Sequence, residues 1–147
     1  MKEQFATYEI ALKLKELGFD EKCLAYYHNQ VEPSFCNNLD RGNSVTNSES
    51  RYILYPQDCS APLWQQAIDW FREKHNINVN IYIKKVVNGN TIPIYEFNIF
   101  FITENRDNKY YGKSLDYDSQ ENNENFIHYD KAREIAILKA IELCKNQ

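Results

Sequence analysis

Residues 79–102 carry the strongest local instruction in this chain. VNIYIKKVV (Val79–Val87) alternates apolar with polar, Asn88-Gly89 supplies a tight hairpin turn, and Ile94–Ile102 alternates again. A period of two puts Val79, Ile81 and Ile83 on one face of the first strand. Tyr95, Phe97, Ile99 and Phe101 share a face of the second, with Glu96 and Asn98 opposite. Asn-Gly adopts the left-handed turn geometry that matches strand twist, so an antiparallel hairpin is required. Pro93 begins its strand, where a missing amide is tolerated. Lys109–Leu115 (KYYGKSL) reads as a third, edge strand, with Gly112 and two lysines blunting it.

Helices flank this sheet. Residues 7–17 repeat Ile10, Leu14 and Leu17 at helical spacing, with Thr7 as expected N-cap and Gly18 at the left-handed stop. A second helix begins after Ser60, with Pro62 in its first turn. Trp64, Ala67, Ile68 and Phe71 form its buried stripe and Trp70 lies at the edge. The last runs over 130–145 from an Asp130 N-cap. Its apolar face of Ala132, Ile135, Ala136, Ala140 and Leu143 is widened by Ile137, Leu138 and Ile141. Cys23–His28 and Arg51–Tyr55 read as two short strands. The expected order is α-β-β-α-β-β-β-α, an α+β fold in which an antiparallel sheet carries helices on one face. At 147 residues the chain is expected to form one domain, 1–147. Two stretches rich in Asn, Ser, Asp and Glu, at about 31–50 and 116–125, read as polar loops.

Chemistry-bearing patterns are sparse. His28, His75 and His128 lie far apart, and Cys23, Cys36, Cys59 and Cys144 form no CxxC pair, so no zinc spacing exists. Residues 116–120 begin like a calcium loop. Glu121 then stands where the turn needs Gly, and Ile127 where the bidentate Glu belongs. Cys36 with His128 is a conceivable nucleophile and base, yet nothing local activates the thiol. Asp116 and Asp118 are a carboxylate pair without assignable roles. Four glycines and no phosphate-cradling motif argue against nucleotide chemistry. No metal or cofactor is expected.

A formal net charge of −4 argues against a generic phosphate-backbone binder. From the second helix onward, however, the order α-β-β-β-α matches that of double-stranded RNA-binding domains. Lys131, Arg133, Lys139 and Lys145 lie on the last helix, interspersed with acids such as Asp130 and Glu134. Eleven tyrosines supply apolar area with a polar tip. Phe100, out of register with its aromatic neighbours, and the adjacent Tyr110 and Tyr111 make a candidate interaction patch. The alternative is that the N-terminal elements cover that face. No apolar stretch is long enough for a membrane helix, and the N-terminus has no uninterrupted apolar core, so the cytoplasm is the expected address.

FATYEIALKLKELGFDEKCLAYYH, APLWQQAIDWFREKHNI and YDKAREIAILKAIELCK together resemble a group of small uncharacterised proteins of Bacteroidetes genomes and their phages or mobile elements. The matching residues are packing residues, so the resemblance assigns no activity. The expectation is a small non-enzymatic accessory protein that binds a protein partner or itself. The alternative is a nucleic-acid-binding module.

Overall fold

The structure, a computed structural model, describes residues 2–29, 32–36, 44–48, 52–84, 94–104, 110–118, 126 and 128–146. For residues 2, 84, 103–104 and 110–118 only the backbone is described. The chain is α+β, and its strands form two antiparallel sheets of three. Contacts divide it into two compact units, 1–67 and 68–147, with the boundary inside one helix.

The first unit opens with a 3-10 turn (Lys2–Gln4) and α1 (Tyr8–Glu16). Thr7 occupies the N-cap with extended backbone but makes no side-chain cap bond. The stop is as the sequence indicates. Gly18 has φ +91°, its N–H donates to Lys15 O (3.0 Å), and Phe19 N–H donates to Leu14 O (2.9 Å). These two bonds satisfy carbonyls that the helix end leaves orphaned. α1 covers a short sheet in which β1 (Ala25–Tyr27) lies between β2 (Ser34–Phe35) and β3 (Cys59–Ala61). Phe5, Ala11, Ala25, Tyr27, Cys59 and Ala61 form its core. Tyr27 is 2% exposed, and its hydroxyl donates to Ala6 O at 2.6 Å, so the large ring is buried without an orphaned polar tip.

Two expectations fail here. Residues 52–55 are not a strand but part of a turn, and the third strand is β3, where the second helix was expected to begin. The amides of Leu54 and Tyr55 are taken by a carboxylate four and three residues on, which removes them from any ladder. The polar stretch at 31–50 also holds regular pairing. β2 lies within it, and Val45 exchanges two backbone bonds of 2.8 Å with Cys23.

α2 (Trp64–His75) follows β3 directly and passes from one unit into the other. Pro62 stands ahead of it, its carbonyl accepting from Ala6 N–H. Gln66 reaches back to accept from Leu63 N–H (2.9 Å), one half of a capping box. Trp64, Ala67, Trp70 and Phe71 are buried. Trp70 thus belongs to the stripe and Ile68 is half-buried.

In the second unit Asn76 (φ +54°) ends the helix and starts β4 (Ile77–Lys84). β4 pairs with β5 (Ile94–Glu104), which pairs with β6 (Tyr110–Asp118), giving the order β4-β5-β6. The hairpin register puts Val79 opposite Ile99 and Ile81 opposite Phe97, so the alternating apolar residues meet as the sequence requires. The Asn88-Gly89 turn lies outside the described residues. A bulge interrupts β5·β6 around Phe100. α3 (Tyr129–Lys145) packs on β4 and β5 through Ala132, Ala136, Ile137, Ala140 and Ile141. His128, not Asp130, is its N-cap, and Asp130 sits in the first turn. No described helix is long and apolar enough to cross a membrane.

Candidate functional site

The best-defined polar arrangement lies in the first unit, on the turn that replaces the expected strand. Asp58 is fully buried. Its Oδ2 accepts from Leu54 N–H (3.1 Å) and Tyr55 N–H (3.0 Å), and its own N–H donates to Tyr55 O (3.0 Å). A buried carboxylate needs such donors, since an unpaired charge there costs several kcal/mol or more. The other oxygen, Oδ1, lies 2.9 Å from His28 Nδ1. No described donor points in line at Oδ1, so the pair meets by charge when the imidazole is protonated rather than by an aligned hydrogen bond. His28 is half in solvent and its Nε2 is not engaged by Asp58.

α1 clamps the same turn from below. Lys15 Nζ donates to Asp58 O (2.6 Å) and Pro56 O (3.1 Å), and Tyr8 hydroxyl donates to Gln57 O (2.8 Å). The turn is therefore fixed at Leu54, Tyr55, Pro56, Gln57 and Asp58 by one carboxylate, one ammonium and one phenol. Beside the exposed Pro56 and Gln57 it displays two large side chains. Leu54 is 67% exposed and Tyr55 52%. The Tyr55 ring lies 6.0 Å from that of His28, and Tyr52 stacks on Tyr26 at 4.7 Å. The result is an aromatic and aliphatic surface on a braced backbone, rimmed by an ionisable imidazole.

A carboxylate beside an imidazole is a general-base arrangement, which acts on water or on a substrate hydroxyl. Burial pushes the Cys23 and Cys59 thiols up to about 12 and raises that of Cys36, so these sulfurs stay protonated near neutrality. Cys36 is thus not activated, and the pairing of Cys36 with His128 gains nothing from the structure. No group of three or more His, Cys, Asp or Glu among the described residues could hold a metal ion.

The other sequence candidates fall elsewhere. Phe100 is half-buried on β5, opposite Leu115. Tyr111 lies opposite Thr103 and Tyr110 opposite Glu104, so Phe100 and the tyrosines sit at separate rungs of the ladder. The Tyr110 and Tyr111 side chains lie outside the described residues, as do those of Asp116 and Asp118. On α3 the basic residues are paired locally: Lys131 with Glu134 (2.9 Å), Arg133 with Asp130 (2.7 Å) and Lys139 with Glu142 (3.1 Å). Sequence reading missed Asp58, His28, Leu54 and Tyr55 as a set. The available signal was Pro56 and Asp58 closely following the apolar run, a turn signature set against a strand-like one.

Compared with protein-family models, with curated proteins and with solved structures, the chain gives no match.

Proposed function

We propose that this chain is a small non-enzymatic accessory protein that works by binding a protein partner, and that the turn at residues 52–55 is its contact surface. One observation carries the reading: Leu54 and Tyr55 stand in solvent on a backbone held by the buried Asp58. Large apolar side chains exposed on a mobile loop lose much of their binding energy to ordering. On a braced turn that cost has already been met in folding, which favours affinity. Tyrosine is enriched at protein contact sites, where a desolvated centre is ringed by polar groups. The four free thiols fit a reducing compartment, and we place the protein in the cytoplasm.

Nucleic-acid binding has less support. Lys131, Arg133 and Lys139 of α3 each spend their charge on a neighbouring carboxylate, leaving little to neutralise phosphate.

The test is quantitative co-purification of the tagged full chain from the cells that make it, beside a Leu54→Ser/Tyr55→Ser variant. Both side chains are solvent-exposed, so the variant keeps its thermal midpoint. A specifically bound protein is expected to fall at least about tenfold in the variant, the loss of one or two anchor side chains. Equal recovery with both chains, or no bound protein with either, overturns the reading.

A further inference from the structure

We propose that the chain forms a two-fold homodimer by pairing β4 antiparallel with β4 of a second copy, joining two three-stranded sheets into one of six strands. β4 is the edge strand of the order β4-β5-β6, and among the described residues no strand pairs with its outer side. The register and one bond fix which groups face outward. Ile102 N–H donates to Asn76 O at 2.6 Å, and the ladder continues with Ile77 opposite Phe101. Hydrogen-bonded and non-hydrogen-bonded pairs alternate in an antiparallel ladder. Asn78, Asn80 and Tyr82 therefore direct their backbone groups at β5. Ile77, Val79, Ile81 and Ile83 direct theirs away from it. On β5 the same alternation holds: Tyr95, opposite Ile83, exchanges backbone bonds with Phe126 on its outer side (2.7 and 3.1 Å).

Edge strands in monomers are ordinarily blunted by proline, a bulge, a charge or brevity. β4 has none of these before its last position. It runs eight residues, INVNIYIK, and its register with β5 is unbroken. Ile83, near its end, is 63% exposed.

The strand is also complementary to itself. Pairing about a two-fold axis at Asn80 sets Ile77 against Ile83 of the second copy and Val79 against Ile81, so each outward N–H and C=O meets a counterpart. Asn78 then faces Tyr82, and Asn80 faces Asn80. Apolar meets apolar on the α3 face and polar meets polar on the other, and a one-residue slip would break both matches. No like charges oppose one another, because Lys84 falls across from Asn76. A strand from an unrelated protein with the same alternation would satisfy the backbone but would need the same length and register as well. A second copy has these by identity.

A single strand pair buries less than a standard interface, so the expected dissociation constant is about 1–100 μM. Sedimentation equilibrium of the full chain over that range is the measurement. The wild type is expected to shift from monomer to dimer. Amides of Val79, Ile81 and Ile83 should become protected from hydrogen exchange as concentration rises. Ile81→Pro deletes one outward N–H and no bond to β5, and is expected to weaken association at least about tenfold. Ile83→Lys alters a side chain already largely in solvent and adds a charge beside Lys84 on each copy, with the same result expected. It decides the matter should Ile81→Pro fail to fold. A wild type that stays monomeric at 100 μM and above, or a dimer that survives Ile83→Lys, overturns the proposal. Neither substitution falls within residues 52–55, and self-association and partner recovery are read by different experiments, so the two proposals fail separately.

Discussion

The two units reach stability by different means. In the second, β4 and β5 pair over eight consecutive rungs, α3 runs from Tyr129 to Lys145, and its ion pairs Lys131–Glu134, Arg133–Asp130 and Lys139–Glu142 link neighbours one turn apart. In the first, strands of two or three residues are tied by side chains reaching distant backbone. Tyr27 bonds Ala6, Asn47 bonds both Phe19 O and Ser60 N–H, Trp64 bonds Glu3 O, and Lys15 and Tyr8 bond the turn at 56–58. Repetition of a local pattern specifies one unit. Individual polar side chains, each bonded to a distant backbone group, specify the other. The second kind of order is sensitive to single substitutions, because a lost partner leaves a buried group unsatisfied.

The sharpest way to break this contrast is Asp58→Ala. It releases the Leu54 and Tyr55 amides from their shared acceptor, for an expected loss of about 3 kcal/mol in urea unfolding. Asp58→Asn keeps an acceptor for the amides and should lose less. A cost below about 1 kcal/mol for the alanine variant would mean the turn is held by its neighbours instead.

Alkaline pH is the next lever, and its sign follows from burial. Cys23 and Cys59 are raised from 9.0 to about 12, and Tyr27 from 10.0 to about 12, each chiefly by desolvation. Above pH 9 the unfolded chain releases thiol protons that the folded chain retains, so stability is intact below pH 9 and falls as pH rises toward 12. The slope is about 1.4 kcal/mol per pH unit for each thiol. Among the described residues of the second unit, Cys144 is pushed comparably, to about 11. The first unit should therefore melt at lower pH than the second, as two-dimensional NMR of each would report. Simultaneous loss would blunt the contrast.

The smallest effects come from paired single changes. Tyr27→Phe removes a buried hydroxyl that bonds Ala6 O, and about 1 kcal/mol should be lost. Lys139→Ala removes an ion pair one turn long on the α3 surface, for less than about 0.5 kcal/mol. Equal thermal shifts would contradict the division drawn between the units.

This division also explains what could be read from the sequence. The β4–β5 hairpin, α1 with its Gly18 stop, and α3 were legible because their instructions are periodic or local. Residues 52–55 were not. Tyr52, Leu54 and Tyr55 look like strand residues, and a carboxylate further along diverts the Leu54 and Tyr55 amides. Ser34–Phe35 pairs with β1 inside a stretch whose composition signals loop. Trp70 is buried although its neighbours suggested an edge. The candidate surface was missed for the same reason, since it exists only once Asp58, His28, Lys15 and Tyr8 converge from separate parts of the chain.

The placement of the cysteines gives the molecule built-in reporters of its own breathing. Cys23, Cys36 and Cys59 are buried in the first unit, while Cys144 is partly accessible near the end of α3. A thiol reagent can modify the buried three only when that unit opens, so their labelling rate at neutral pH measures opening there residue by residue. Cys144 supplies an internal reference on the other unit, and no engineered probe is needed to time the two against each other.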